Sequence, residues 1–131
     1  MPTREPTALR ILVVDGYPGW RASVSNALLA SGYEVWTAGR GREALVTLAN
    51  LADSERRVDL VLTEVELADL TGFELARRAR GLCPEVRVLY MGYDDERQMD
   101  AARLLRKPFS LVGLELAVRR ATRRAAQRRC A

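Results

Sequence analysis

The 131 residues suit one domain; 48% of them are apolar and 29% charged, ordinary values for a globular chain able to bury a core without disulfides or metal. There is no His, and Cys83 and Cys130 have no framework spacing, which argues against a His-based catalytic triad and against a zinc site. The net charge of +4 is local: residues 1–100 carry 12 Arg against 16 acids, whereas residues 101–131 carry eight Arg and Lys107 against Glu115 alone.

In chain order, residues 9–14 (Leu-Arg-Ile-Leu-Val-Val) read as a short buried strand. Pro18 fits a first helical position; Trp20, Val24, Ala27, Leu28 and Ser31 follow at helical spacing, and Gly32 closes that helix. Residues 34–38 read as a second strand. Residues 42–51 read as a helix with Ala44, Leu45, Leu48 and Leu51 on one face. Residues 58–63 are a third strand, and Thr71 caps a helix that turns Phe73, Ala76 and Ala79 inward. Pro84 precedes a fourth strand at 86–91. Residues 94–103 are a short helix whose acids Asp94, Asp95 and Glu96 suit its N-terminus. Residues 104–106 form a brief fifth strand, and Ser110 caps a final helix with Leu111, Leu114, Val118, Ala121 and Ala125 on one stripe. Trp20 and Trp36 read as packing residues.

Strands alternating with helices imply an open parallel sheet covered on both faces, and right-handed crossovers make it doubly wound. Residues 1–8 are expected to be a flexible N-terminal segment, 9–122 the domain, and 123–131 the Arg-rich end of the last helix. Met1 to Pro6 is polar and lacks a signal-peptide apolar stretch, and no run approaches a membrane span, so a cytoplasmic protein without membrane contact is expected.

In such sheets, ligands sit beyond the C-terminal strand ends. That rule gathers Asp15 after the first strand, Glu64 at the end of the third, Met91 and Gly92 at the fourth, and Lys107 at the fifth. Lys107 stands apart by composition as well: every other basic residue is Arg, and only a lysine offers a compact point charge on a thin stem. Asp59, at the opposite end of its strand, and Asp69, in the loop beyond Glu64, are poor candidates for this chemistry.

Residues 11–15 (Ile-Leu-Val-Val-Asp), 59–64 (Asp-Leu-Val-Leu-Thr-Glu), 67–72 (Leu-Ala-Asp-Leu-Thr-Gly), 88–93 (Val-Leu-Tyr-Met-Gly-Tyr) and 107–109 (Lys-Pro-Phe) resemble, in order and spacing, a receiver domain of bacterial response regulators. The resemblance spans about residues 9–122. It implies a five-stranded CheY-like (flavodoxin-like) sheet of order 2-1-3-4-5, a phosphoacceptor Asp at the end of the third strand, and Mg²⁺ held by that Asp, by acids after the first strand and by a backbone carbonyl. It also implies a Ser or Thr after the fourth strand, the Lys on the phosphoryl oxygens, and an aromatic switch residue.

The chain departs from this pattern at most of these positions. Glu64 stands at the phosphoacceptor position, and the acidic pair is reduced to Asp15 followed by Gly16. Gly92 falls where the hydroxyl residue is expected, and Leu104 replaces the aromatic residue. Lys107 keeps the family's lysine position. The metal candidates are Asp15, Glu64 and the carbonyl of Glu66, a thin set for an ion that demands near-octahedral oxygen ligation, so no cofactor is expected. Only 12 residues separate the fourth and fifth strands, which predicts a shortened fourth helix.

An atypical, pseudo-receiver module follows: not an enzyme, independent of phosphorylation, and acting through signalling partners or as a homodimer, with Tyr93 a candidate contact. Glu64 is either a partial mimic of phospho-aspartate or a remnant whose charge is merely neutralised. The alternatives are a conventional Mg²⁺-dependent phosphoacceptor and a nucleic-acid binder using Arg119, Arg120, Arg123 and Arg124. Those arginines, with Arg128 and Arg129, also suit a solvated face or a dock for an acidic partner.

Overall fold

A computed structural model describes residues 8–93 and 103–130. Five strands, β1 (Arg10–Val14), β2 (Glu34–Ala38), β3 (Leu60–Glu64), β4 (Arg87–Gly92) and β5 (Leu104–Arg106), form one parallel sheet in the order β2-β1-β3-β4-β5. The helices are α1 (Pro18–Ala30), α2 (Gly41–Leu51), α3 (Gly72–Leu82), α4 (Leu111–Ala121) and α5 (Arg123–Cys130). The helix expected at residues 94–103 lies almost wholly outside the described residues.

The central strands bury both faces, which is why they read as unbroken apolar runs rather than as an alternation. Leu12, Val14, Val61, Val88 and Tyr90 face a cluster closed by Ala44 and Leu48 of α2 and Leu75, Ala76 and Ala79 of α3. Ile11, Val13, Leu60, Leu62, Leu89 and Met91 face Val24 and Leu28 of α1 and Leu114 and Val118 of α4. The two Trp side chains pack at the margins, Trp20 on the α1–α4 side and Trp36 on the other. Gly32, at φ 96°, ends α1 in the left-handed region that β-carbons disfavour.

Two helix faces differ from expectation. Phe73 is 46% exposed, its ring 5.0 Å from that of Tyr90, rather than pointing inward. The buried stripe of α3 is Gly72, Leu75, Ala76 and Ala79, and its phase is set by Gly72, which lies against the backbone of β3. A β-carbon at Gly72 would meet the carbonyl oxygen of Glu64, with Val65 Cα 3.2 Å away. The last helix is not continuous either. Thr122 interrupts it at φ −102°, ψ 4°, and its Oγ1 donates to the Val118 carbonyl at 2.8 Å, a back-bond that bends helices. The Arg-rich segment is therefore a separate helix, and Leu111, 67% exposed, stands outside a stripe that begins at Leu114.

Asp69 has a structural role. Its carboxylate oxygens accept from the amides of Gly41 and Arg42, both at 2.9 Å, so the β3–α3 loop caps α2, whose own N-cap Arg40 supplies no side-chain bond. Burial pushes this carboxyl up, but the bonds from Arg42 and Gly41 outweigh it and hold the group below its ordinary value. Asp69→Ala is expected to cost about 1 kcal/mol. Because the folded-state pKa is depressed, the contribution is present above the unfolded value and disappears as pH falls through the folded one. Denaturant titrations of wild type and variant at neutral and acid pH check both statements.

Candidate functional site

The register of the sheet brings the C-terminal strand ends level. Glu64 pairs with Met91, and Gly92 with Arg106. The Lys107 amide donates to the Gly92 carbonyl at 2.7 Å, which carries the ladder one residue further and lifts the lysine beside the carboxylates. Asp15 follows directly on β1, with its amide on the Ala38 carbonyl at 3.1 Å. Arg21 of α1 reaches back to the Asp15 carbonyl at 2.7 Å.

Asp15, Glu64 and Lys107 converge in the protein interior. Lys107 Nζ lies 3.1 Å from Asp15 Oδ2 and 3.2 Å from Glu64 Oε2, and only 3% of the lysine side chain is exposed. Glu64 Oε1 accepts from the Gly16 amide at 2.7 Å, and Asp15 Oδ1 from the Tyr17 amide at 2.9 Å. Each of the four carboxylate oxygens thus has a nitrogen donor. Three rings stand around the ammonium, with centroids 5.1 Å (Trp20), 5.7 Å (Tyr17) and 5.8 Å (Tyr93) from Nζ, within the range of cation–π attraction. A cleft of about 180 Å³ opens beside the triad, bounded in part by Tyr17, Glu64, Tyr93 and Lys107.

Two buried carboxylates share a single ammonium, so the triad carries one uncompensated negative charge. Burial raises the pKa of Glu64, the Gly16 amide lowers it, Asp15 raises it and Lys107 lowers it, with a net displacement above the ordinary glutamate value. The sign of the linkage follows. A carboxyl with a raised folded-state pKa takes up its proton more readily when folded, so its contribution is favourable below the unfolded value and is lost as pH rises through the folded one. Glu64→Gln keeps an acceptor for the Gly16 amide and leaves one carboxylate per ammonium. Its stability at pH 7 is expected within about 1 kcal/mol of wild type. The wild type should gain on the variant as pH falls through the carboxylate range, which paired denaturation curves across pH would show.

The donor set does not suit Mg²⁺. A hard cation needs several free oxygens in near-octahedral array, whereas the space between these two carboxylates is taken by the ammonium and their remaining oxygens hold backbone amides. Among the described residues no three His, Cys, Asp or Glu side chains cluster closely enough to hold a metal ion. Glu66 is exposed, two residues beyond Glu64, and bridges to Thr71. Gly92 is buried and brings no hydroxyl to the site, and Leu104 is half-buried, paired with Tyr90 and packed against the α2–α3 cluster. Asp59 lies at the far end of the sheet, where its Oδ2 accepts from the Arg10 amide at 2.9 Å. Arg119 pairs with Glu115 at 2.8 Å, while Arg120, Arg123 and Arg124 are exposed.

The aromatic rim escaped the sequence reading as a unit. Its signal was present: Tyr17 falls two residues after Asp15, and Tyr93 directly after Gly92, so strand ends that deliver charge also deliver rings.

Residues 11–119 match the family model described as the response regulator receiver domain. The chain belongs to that family. Among curated proteins this receiver is 34% identical over 118 residues to the two-component response regulator ARR11 of Arabidopsis thaliana, a match covering 85% of the chain and 22% of the relative. It is 31% identical to the probable transcriptional regulatory protein TcrX of Mycobacterium tuberculosis, covering 87% of the chain and 50% of that protein. The chain thus spans half or less of these relatives' length. Among solved structures, the chemotaxis response regulator CheY4 of Vibrio cholerae superposes with a TM-score of 0.74 at 28% identity, covering 87% of this chain and 98% of that one. The receiver domain of the hybrid histidine kinase CckA gives 0.73 at 28% identity, over 86% and 97%. Among the described residues no helix is long and apolar enough to cross a membrane.

Proposed function

We propose that this receiver is a signalling module whose output does not depend on phosphoryl transfer, with Glu64 at the phosphoacceptor position held in an internal salt bridge. The supporting observation is the Lys107 ammonium seated between Asp15 and Glu64 at 3.1 and 3.2 Å. In a phosphorylated receiver the lysine would instead meet a group of about −1.5 to −2 charge with three acceptor oxygens. Glu64 reaches one methylene further than an aspartate and brings its charge to the lysine without modification. It therefore imitates the modified state in reach and in sign, with less charge. Gly92 and Leu104 leave neither the hydroxyl nor the ring through which a two-state change would be transmitted, so no differential interaction remains for phosphorylation to bias.

Such a module acts by contact with another protein and catalyses nothing itself. The partner class is two-component signalling: the chain is 33% identical, over 88% of its length, to a protein named sensor histidine kinase RcsC, of which the match covers 13%. Intact mass after incubation with Mg²⁺ and a small acyl phosphate tests the reading, with Glu64→Asp alongside. The expected result is no adduct on the wild type. A wild-type adduct overturns the proposal, and peptide mapping would then locate the acceptor. An adduct on the variant alone identifies Glu64 as the residue that closes the site.

A further inference from the structure

At the opposite end of the sheet from Lys107 lies a second concavity. A cleft of about 390 Å³ is lined by Arg80, Arg87, Arg103 and Arg120, with Val86 and Val88 in its wall. The four arginines come from four places in the chain: the last turn of α3, the first residue of β4, the residue preceding β5, and the last turn of α4. All four are exposed, and among the described residues none of them forms an ion pair and no carboxylate lines the cleft. Arg80 and Arg120 also sit where a cation favours a helix C-terminus, but Arg87 stands on a strand and has no such use. The Arg80 guanidinium lies beside the phenol of Tyr90, which is only 5% exposed.

Four like charges around one hollow repel one another unless an anion joins them. Each guanidinium presents a rigid fork of N–H donors that matches phosphate oxygens two at a time. Satisfying four forks and balancing their charge takes more oxygens and more negative charge than one carboxylate offers. The volume falls in the range of small-molecule sites, and a hollow of that size suits a compact anion better than the extended face a duplex backbone tracks. We propose that this cleft binds a small molecule bearing linked phosphates, of the class of pyrophosphate and the nucleoside polyphosphates. The inference is independent of the state of Glu64.

The test is a calorimetric titration of the full chain with inorganic pyrophosphate at fixed ionic strength, with chloride as the matched control. The wild type is compared with Arg87→Ala/Arg103→Ala and with Arg123→Ala/Arg124→Ala, whose charges lie on α5 outside the cleft. Saturable pyrophosphate binding is expected, weakened about 10-fold or more in the first variant and unchanged in the second. Circular dichroism of both variants shows that a loss is not unfolding, since all four side chains are exposed. A response no larger than that to chloride overturns the proposal. Equal losses in both variants also overturn it, because the charge then acts diffusely. Binding of a short duplex DNA that is lost in the α5 variant, with pyrophosphate inert, overturns it in favour of a nucleic-acid face.

Discussion

Lys107→Met is expected to destabilise the fold by about 3–5 kcal/mol, the cost of leaving buried carboxylates without their counter-charge. Asp15 is fully buried and Glu64 is 8% exposed, so water cannot take the place of the ammonium. Methionine approximates the lysine stem in length and apolar character, so the loss reports on charge rather than on volume. The variant carries its own signature. With no cation present, Asp15 and Glu64 repel each other, and the deficit shrinks as the solution is acidified. A second change separates the electrostatic account from simple misfolding: Glu64→Gln added to Lys107→Met removes one of the stranded charges and should recover part of the stability. Chemical denaturation of the four proteins at pH 7 completes a double-mutant cycle. An unchanged midpoint for Lys107→Met would mean that the lysine compensates nothing.

The sheet was legible because its strands obey a rule with few exceptions. Runs buried on both faces, such as residues 10–14 and 60–64, cannot be solvated edges, crossover handedness makes the sheet doubly wound, and the strand order is the one the resemblance to receiver domains implies. The site was legible for the same reason, since strand ends are fixed in space once strand order is known. What escaped was phase and interruption on helices. Phe73 reads inward by periodicity together with Ala76 and Ala79; the two alanines do face the core, but the close approach of Gly72 to β3 sets Leu75 beside them and leaves Phe73 exposed. The stripe from Leu111 to Ala125 reads as one helix because Thr122 is a tolerable helical residue; the break shows in its backbone, at φ −102°, ψ 4°. Asp69 looked like a spare carboxylate because capping across 28 residues of sequence leaves no local trace. The arginine cleft is likewise invisible in the sequence, where its four members are scattered from 80 to 120.

Gly16 and Glu64 are mutually dependent, and the dependence makes the site convertible. A β-carbon at Gly16 would stand 3.6 Å from Glu64 Oε1, so a carboxylate at position 16 would be aimed at the one already there. Gly16→Asp alone therefore places three carboxylates against one ammonium and is expected to lower stability. Glu64→Asp alone withdraws a carboxylate from the lysine by one methylene and opens the space between them. Together, Gly16→Asp and Glu64→Asp supply three oxygen-bearing side chains with room for a hard cation, the number and kind of ligand that the wild type lacks. A cation bound only by the folded state raises stability by mass action, so the melting temperature of the double variant should climb with millimolar Mg²⁺. The wild type should not respond. Trp20, whose ring lies 5.1 Å from Lys107 Nζ, gives a second readout in its fluorescence. Should the wild type shift with Mg²⁺ as much as the double variant, Glu64 and Gly16 do not close the site to metal. Should neither shift, the obstacle lies in the surrounding backbone rather than in these two side chains.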